Sequence, residues 1–516
     1  MIIVPTCLDN FLMFVLIENI EKFICILTAA PVRTPGDDDN RGWVHWTKQG
    51  GQLSPALISE DYWPEMAELG AAEQHAARGF TNHGGSQATL FSSHNYNTVV
   101  RHFQWMQTWD LDGVAAQRFG VELDDVSRKR VLNYTVAAAL ATQRVVTVEY
   151  DLSGMSESSI VSALRADWTW LVDSLKITSQ PCYLHQNGLP VVIIFGFFLD
   201  RFSTDTANAI LDLFQMPGPY QAFVIGAGQW FWRSDPKLTP AWINVFYRMN
   251  SWQPWNAGNW DGVRYASTGY WKADMLDFHA HNVMYQPEIY TGMSTDNRDS
   301  LPPGKGRIPR HAGDFLWNQF AVATKIAAPT IFLGMFDELD EGTQILKVTN
   351  SPPAQASFIT YEGLPSDSYL CWASLGTKMF KGLIPYNETK PNCPQLTQPS
   401  IPQPSQPRHG LRVHLSQSIS FRWAPAMAHF GGGAIESYEL LVQGRLYRTP
   451  GPACAAVVTS LADLVPALAA IDSPIDIRWA VRAVNTLGNT GGWSQPQLLV
   501  VIPSDSTQKR ASDSTV

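Results

Sequence analysis

Charged side chains are sparse in this sequence, and basic ones are nowhere concentrated. Only 16% of the 516 residues are charged, and 37 Lys and Arg against 46 Asp and Glu give a net charge of −9. A protein that neutralises a phosphate backbone needs clustered Lys and Arg. The composition therefore excludes a general nucleic-acid-binding protein, and the lack of a basic amphipathic helix excludes a typical membrane-surface protein.

Long hydrophobic runs are also missing. The apolar runs over 11–17 and 23–27 are separated by Glu18, Glu21 and Lys22. A membrane-spanning helix needs about 20 mainly apolar residues, so no span is predicted. Segment 22–30 has the short apolar run and small residues of a secretion signal, but no basic residue precedes Lys22. It is either such a signal or a packed extension, so localisation stays open and secretion is one of the two interpretations.

Cysteine is scarce and widely spaced. None of the six forms a CxxC pair, which excludes the usual zinc sites. Cys371 and Cys393 are the nearest plausible partners for one disulfide. His279 and His281 alone are too few to indicate a metal site, so we expect no metal and no cofactor.

Proline and tryptophan, by contrast, are informative. The 19 Trp indicate a large core or an aromatic-lined cleft, and prolines gathered over 385–410 indicate a spacer. Short runs that alternate apolar and polar residues follow the spacer and are typical of strands. Together with Trp423 and the run RWAVRAVNTLG, they resemble a fibronectin type III module. We expect an extension and linker over 1–42, a main domain over 43–388, a Pro-rich linker over 389–410, a small all-β sandwich over 411–503 and a disordered tail over 504–516.

The main domain alternates short apolar runs with helical periodicity. Helices are predicted over 97–109 and 158–177. Apolar runs separated by helices favour parallel strands covered by helices, and the length suits a (β/α)8 TIM barrel. A doubly wound α/β sheet is the alternative, but no glycine-rich phosphate loop follows the first run. The predicted strands cover 43–46, 112–117, 145–151, 190–196, 222–228, 251–255, 283–290 and 330–336.

Polar and aromatic side chains gather at the ends of these strands, where barrel enzymes carry their functional groups. Hydrogen-bonding groups mixed with indoles suit a sugar. Several of the positions have structural alternatives: His45 and Trp46 as a seal at the opposite rim of the barrel, Asp151 as a helix cap, Arg118 as the partner of an acid, and Trp255 as core packing. The predicted carbohydrate-binding residues are His45, Trp46, Arg118, Asp151, Trp255, Tyr285, Glu288 and Asp337.

The strongest local signal is the acidic segment 337–341, with four carboxylates in five residues after an apolar run. On a surface it would be a solvated turn, but its position after a buried strand favours a functional role. Glu338 and Glu341 are three residues apart and would share one face of a helical turn. Crowded carboxylates have pKa values that are pushed apart, and two carboxyls are the usual machinery of glycoside hydrolysis. Gly342 would allow a positive φ or a close approach of the backbone to a ligand.

Five segments in order resemble the GH99-like/GH71-like glycoside hydrolases, a group that includes endo-α-mannosidases. The similarity extends over about 43–385 and implies a (β/α)8 barrel that acts on α-linked carbohydrate without a metal. The segments are LFSSHNYNTVVRHFQWM, DGVAAQRFG, YDLSGM, the ADW and YLHQNGLPVVIIFGF run, and FDELDEGTQILK.

The resemblance also implies roles for the two glutamates. The mannosidase pattern is Glu-Trp-His-Glu-Gly-Thr-Gln, whose glutamates match Glu338 and Glu341. In that retaining mechanism Glu338 would deprotonate the sugar 2-hydroxyl to give a 1,2-anhydro sugar, and Glu341 would protonate the leaving oxygen and later activate water. Leu339 and Asp340 stand in place of the Trp and His, which is a departure from the mannosidase pattern. Because the two related groups share the scaffold, an α-1,3-glucanase-like specificity is the chief rival to α-mannan. The alternative function is a non-catalytic carbohydrate-binding barrel.

Overall fold

The computed structural model describes residues 23–27, 43, 45–48, 52–393, 399, 401–414, 417–426, 434–449, 455–458, 473–494 and 496–503. The chain divides into two units, Met1–Cys393 and Pro394–Val516. The predicted tail over 504–516 lies outside the described residues. So do most of the predicted extension over 1–42 and positions 394–398 and 400 of the predicted linker.

A parallel sheet forms the centre of the first unit. Its strands neighbour one another in the order β10-β9-β8-β7-β5-β4-β1-β14-β11, and β6 (His185–Gln186) is a short antiparallel addition to β7. The two ends of this order, β10 and β11, are separated along the chain only by Gln286 and Pro287. The strands are β1 Phe23–Leu27, β4 Gly113–Phe119, β5 Val145–Asp151, β7 Leu189–Phe197, β8 Phe223–Gly228, β9 Ser251–Pro254, β10 Met284–Tyr285, β11 Glu288–Tyr290 and β14 Ile331–Gly334.

Helices alternate with the sheet strands along the chain. In α1, Asn95 caps the N-terminus by accepting from the Asn97 N–H, and Val99, Phe103 and Met106 form the buried face, as the sequence predicts. The helices are α1 Tyr96–Thr108, α2 Val126–Thr142, α3 Glu157–Thr169, α4 Thr204–Gln215, α5 Pro240–Arg248, α6 Trp271–Ala280, α7 Asp314–Lys325 and α8 Ser368–Phe380. Two antiparallel pairs lie outside the sheet, β2 His75–Thr81 with β3 Gln87–Leu90 and β12 Met293–Ser294 with β13 Arg307–Ile308.

The prediction that the first strand covers 43–46 was wrong. His45 and Trp46 lie in a turn, and Phe23–Leu27 takes the place between β4 and β14 instead. A buried parallel strand is a short continuous apolar run, which in sequence cannot be told from the apolar part of a secretion signal. The predicted strand over 283–290 is interrupted because Pro287 has no N–H to donate to the sheet.

Alternation along the strands builds an interior with an apolar part and a polar part. Ala115, Ile193, Ala227 and Phe332 belong to one buried apolar cluster. Polar residues lie on the same face of the sheet as this cluster. Gln117 does so because it is two residues after Ala115 on the same strand. The other three do so because they are paired across neighbouring strands with cluster residues: Glu149 with Ile193, Gln253 with Ala227, and Glu288 with Phe332. Side chains alternate across a strand, so these four polar groups face the space above the apolar cluster.

The second unit contains a five-stranded and a three-stranded sheet, in the orders β16-β22-β21-β18-β19 and β15-β17-β20. Its buried cluster includes Phe421, Trp423, Tyr438 and Trp479. β15 falls inside the segment predicted as linker and pairs antiparallel with β17. The strands are β15 Gln403–Gln406, β16 Leu411–His414, β17 Ile419–Ala424, β18 Ile435–Val442, β19 Arg445–Arg448, β20 Ala455–Val458, β21 Ile475–Asn485 and β22 Gln497–Ile502.

One sequence prediction about cross-linking is confirmed, because Cys371 of α8 forms a disulfide with Cys393. Within the described part of the chain, none of the helices has both the length and the apolar character that crossing a bilayer requires.

Candidate active site

The acidic segment after β14 is a hydrogen-bonded turn and not the helical turn that the sequence suggested. The Gly342 N–H donates to the Leu339 carbonyl at 3.2 Å, and the Thr343 N–H donates to the Glu338 carbonyl at 3.2 Å. The turn is also fixed from outside, because the Ser294 N–H donates to the Glu341 carbonyl at 2.8 Å. The carboxylates of this turn are therefore presented by a backbone with little freedom.

Gly342 is required at its position in this turn. Its φ is +64°, and an added Cβ would lie 2.6 Å from the Ser294 nitrogen and 2.8 Å from the Ser294 carbonyl oxygen. Arg310 also donates to the Gly342 carbonyl at 2.7 Å. The positive φ that the sequence analysis anticipated is confirmed.

Three side chains meet at one side of the turn. His45, Glu338 and Asp340 each place a nitrogen or carboxylate oxygen within 4.8 Å of the others, and His45 Nδ1 lies 3.4 Å from Asp340 Oδ2. Burial disfavours the charged form of Asp340. Hydrogen bonds from Glu338 and His45, with the charges of His45 and Arg298, outweigh burial and hold the pKa of Asp340 below its ordinary value.

Glu341, the next residue along the chain, is in the opposite situation. Its carboxylate is partly exposed and accepts from Arg298 Nη1 at 2.8 Å. Burial and then the charge of Asp340 raise the pKa of Glu341, and Arg298 only partly offsets them. Adjacent acids whose pKa values are driven apart are suited to divided acid and base roles.

Two further carboxylates are fully buried in the polar part of the interior. Burial raises the pKa of Glu288 to about 8, although Glu288 accepts backbone N–H bonds from Asn256 and from Ala257 (3.2 Å for the latter). Burial, then the charges of Asp151 and Glu288, raise the pKa of Glu149 well above its ordinary value. Both carboxylate oxygens of Glu149 and Oε1 of Glu288 have no hydrogen-bond partner among the described residues.

Amide groups in the same region also have unused hydrogen-bonding atoms. Within the described part of the chain, Gln117 Oε1, both terminal atoms of Gln253 and Asn256 Nδ2 are buried without a partner. Buried polar atoms are nearly always paired in proteins. A group of donors and acceptors that face one space is the arrangement that sugar hydroxyls, which both donate and accept, can satisfy.

Most of these interior groups were not predicted as site residues. Gln117 and Gln253 carry a signal in the sequence, namely their spacing of two from Ala115 and Trp255, which belong to or pack against the apolar cluster. Glu149 does not, because Thr147 and Asp151 are its neighbours at that spacing. Glu60 carries none, since it lies in an irregular segment. It is buried, its Oε2 has no partner among the described residues, and burial followed by the charge of Asp340 raises its pKa well above the ordinary value.

Several predicted residues do lie at this site. Asp151 accepts from Gln117 Nε2 at 3.1 Å and from the Ser153 N–H at 2.8 Å, while Ser156 occupies the N-cap of α3. Trp255 is half-buried and packs on Phe195, with ring centroids 4.3 Å apart. His45 and Glu288 are placed as described above, and Asp337 is buried at the start of the turn.

Three other predicted residues lie elsewhere. Arg118 follows Gln117, so it points to the opposite side of the sheet and pairs with Asp167 of α3 (Nε to Oδ2, 2.9 Å). Tyr285 likewise packs on Phe278 of α6, with ring centroids 6.0 Å apart. Trp46 is buried against Phe91. The sequence prediction took residues near the strand ends as site residues without regard to the alternation of side chains between the two faces of a strand. Arg118 and Tyr285 lie on the face opposite the polar groups, which is why they do not join them.

The only set of metal-ligand type found among the described residues is the same His45, Glu338 and Asp340 trio. One nitrogen and two carboxylate oxygens are donors that suit a divalent cation.

No family model matches the sequence, and no curated protein is similar to it in sequence. Two solved structures of the GH99 endo-α-mannosidase from Bacteroides thetaiotaomicron, one in complex with BIS-TRIS-propane, match with a TM-score of 0.54 at 15% identity. The match covers 70% of this chain and 97–98% of those chains. The chain has the fold of this glycoside hydrolase. At such low identity the likeness concerns the fold alone.

Proposed function

We propose that the protein is a retaining glycoside hydrolase that cleaves α-linked bonds in a polysaccharide or glycan, with Glu338 and Glu341 as its catalytic pair. The observation that carries the proposal is the turn after β14. It presents Glu341 with a raised pKa directly beside Asp340 with a lowered one, in a fold shared with an endo-α-mannosidase. An acid and an ionised carboxylate at one site are what glycoside hydrolysis requires.

We also propose that the parallel sheet is a closed (β/α)8 barrel. β10 and β11, at the two ends of the strand order, are consecutive in the chain, and counted as one strand they leave eight strands, each followed by a helix. The Phe332 N–H donates to the Pro287 carbonyl, and the Gln286 N–H donates to the Trp252 carbonyl, so the short connection bonds to both flanking strands. In a closed barrel the turn after β14 lies at the functional face.

In the proposed reaction Glu341 protonates the glycosidic oxygen while Glu338 accepts the proton of the sugar 2-hydroxyl. The C1–oxygen bond to the leaving group breaks as the 2-oxygen bonds to C1, which gives a 1,2-anhydro sugar. Glu341, now ionised, takes a proton from water, and the water oxygen bonds to C1. The bond between C1 and the 2-oxygen breaks, and the 2-oxygen recovers its proton from Glu338, so that both glutamates return to their starting states and the configuration at C1 is retained. The raised pKa of Glu341 supports its acid role, since it remains protonated where ordinary carboxylates are ionised.

The interior polar groups are proposed to hold the sugar. Glu149, Glu288, Gln117 and Gln253 supply donors and acceptors without partners in the described structure, and the ring of Trp255 offers an apolar face. The second unit is proposed to be a fibronectin type III-like sandwich over 411–503, a reading supported by its two sheets around Trp423 and Trp479.

A non-catalytic carbohydrate-binding barrel is the second candidate. The observation that favours it is the hydrogen bond between Glu338 and Asp340, which engages the proposed base.

The test is product analysis by mass spectrometry after incubation with α-mannans and α-glucans, beside Glu338→Gln and Glu341→Gln. Fragments from wild type that both variants fail to produce would support the hydrolase and identify its sugar. Binding to a glycan of the panel without any cleavage would favour the binding protein.

A further inference from the structure

Buried hydrogen-bond acceptors lie side by side on β4 and β5. Glu149 is fully buried, and neither of its carboxylate oxygens has a partner among the described residues. Gln117 is its neighbour in the register of the two strands. Its Nε2 donates to Asp151 Oδ2 at 3.1 Å, which leaves Gln117 Oε1 buried without a partner in the same part of the chain. Three acceptor atoms therefore face the interior space and receive no hydrogen bond from the described structure.

The charged groups around these acceptors are other acids. Asp151 and Glu288 are the groups whose charge acts on Glu149, and Glu341 acts in the same way on Glu288. Arg118, also on β4, points to the opposite side of the sheet and pairs with an acid of α3. No cation among the described residues acts on either buried carboxyl. Burial without a cation favours the protonated carboxyl, which is why the pKa values of both are raised.

A protonated amine matches this arrangement in both geometry and charge. An ammonium group has three N–H donors and no acceptor, and Glu149 and Gln117 together offer three acceptors. The ammonium also brings the positive charge that this part of the interior lacks. A buried charge is costly unless it is paired and hydrogen-bonded, and an ionised Glu149 and the ammonium would pair with each other. A sugar hydroxyl has one donor and no charge, so it would leave Glu149 protonated.

We propose that the substrate carries a protonated amine, and that Glu149 with Gln117 beside it binds this amine. The substrate class is an α-linked glycan in which an amino group replaces a sugar hydroxyl. The amine is on a carbon other than C2, because the proposed reaction uses the 2-hydroxyl. This inference rests on the proposed hydrolase function and names a cationic amino-sugar glycan as its preferred substrate.

Binding of the amine is coupled to the loss of one proton. In the free site Glu149 is protonated. When the ammonium enters, the O–H bond of Glu149 breaks, its proton passes to solvent, and the carboxylate accepts N–H bonds from the ammonium. No bond of the sugar changes in this step. Because a proton is released, the affinity for the amine rises with pH as long as the amine itself stays protonated. The titratable groups around Glu149 and Glu288 are Asp151, Tyr270, Tyr290 and Glu341.

Isothermal titration calorimetry on the full-length protein tests the proposal without turnover. The probes are methyl α-mannoside and methyl α-glucoside, their 3-, 4- and 6-amino-deoxy derivatives, and the N-acetylated forms of these amines. At least one amine should bind about 10–100-fold more tightly than its neutral parent. Its N-acetylated form should lose this gain, because acetylation removes the charge.

The same titrations in phosphate and in HEPES buffer at neutral pH measure the proton. The difference in binding enthalpy between the two buffers should correspond to release of about one proton per bound amine, and to none for the neutral parent. Equal affinity for amines and parents, no binding of any amine, or amine binding without proton release would each overturn the proposal.

Glu149→Gln removes the charge while keeping the size of the side chain. This variant should bind the neutral parent as wild type does, should bind the amine no more tightly than the parent, and should release no proton. Asp124→Asn removes an exposed carboxylate paired with Lys129 and should keep the full preference for the amine. A preference that survives in Glu149→Gln would contradict the assignment. If this variant does not fold, the comparison of amines with N-acetylated probes in wild type still decides the proposal.

The amine site and the hydrolase function fail separately. Selective amine binding that depends on Glu149, in a protein that cleaves no neutral or amino-sugar glycan, would end the hydrolase function and keep the amine site. Cleavage of neutral α-mannan or α-glucan without any preference for amines would keep the hydrolase function and overturn the amine site.

Discussion

Individual residues in the turn after β14 are given different charge states by their immediate neighbours. Glu341 and Asp340 are adjacent in sequence and both are carboxylic acids. Asp340 receives hydrogen bonds from His45 and Glu338, whereas Glu341 has the ion pair with Arg298. Because two charged carboxylates so close repel each other, stabilising one as the anion keeps the proton on the other.

The ion pair between Arg298 and Glu341 leads to a prediction about pH dependence. The positive charge of Arg298 favours ionised Glu341, so Arg298→Met should raise the pKa of Glu341 further. Since the acid form would persist to higher pH, the alkaline limb of kcat/KM should move up. Arg264→Met, which removes an exposed arginine paired with Asp314, is the matched control and should leave the limb in place. Movement of the limb to lower pH in Arg298→Met would contradict the assignment.

Glu288 should make the protein less stable as pH rises. Its pKa is about 8 when folded and about 4.5 when exposed. Between these values the folded state binds more protons than the unfolded state, so the free energy of unfolding falls as pH increases through this window and levels off above it. Glu288→Gln removes the titration, so its melting temperature relative to wild type should be higher at pH 8 than at pH 5.

Thermal unfolding monitored by circular dichroism at both pH values tests this expectation. Asp205→Asn, on the exposed N-terminal turn of α4, is the control for removal of one carboxylate. Equal differences in melting temperature at the two pH values would show that Glu288 does not carry the expected proton.

Among the elements, the turn after β14 depends on one glycine. Gly342→Ala would place a methyl group 2.6 Å from the Ser294 nitrogen on a backbone with φ +64°. The expected cost is about 1–3 kcal/mol in unfolding free energy, and displacement of the turn should lower kcat more than substrate binding. Gly363→Ala has a similar φ of +76° and no atom within 4 Å, so it should lose stability through strain alone and keep its activity. Full activity in Gly342→Ala would mean that the turn need not be fixed.

How far the sequence predicts the structure also depends on the element. Helix α1 follows from apolar periodicity, and β4, β5, β7, β8 and β9 follow from short apolar runs. Phe23–Leu27 does not, because its run is five residues long and fits a secretion signal equally well. Among site residues, the acidic turn is visible as a cluster of carboxylates after an apolar run. Glu60 and Arg298 are not, because they come from distant segments and only the folded chain brings them near Asp340.

For the whole molecule, the sheet order explains why one site can draw on so many segments. The polar groups of β4, β5, β9 and β11 face the same interior space, and the turn after β14 brings the acids. The fold is shared with a GH99 endo-α-mannosidase at 15% identity, so the reaction has to be argued from these side chains and tested on them.

The central claim is that Glu341 acts as the acid and that Glu338 acts on the sugar itself. The most direct measurement is fluoride release in the first turnover from α-mannosyl and α-glucosyl oligosaccharide fluorides, because fluoride leaves without help from an acid. Glu341→Gln should release fluoride at close to the wild-type rate while failing to cleave the glycan. Glu338→Gln should fail on both substrates. Fluoride release that is lost in Glu341→Gln but kept in Glu338→Gln would contradict the roles assigned to the two glutamates.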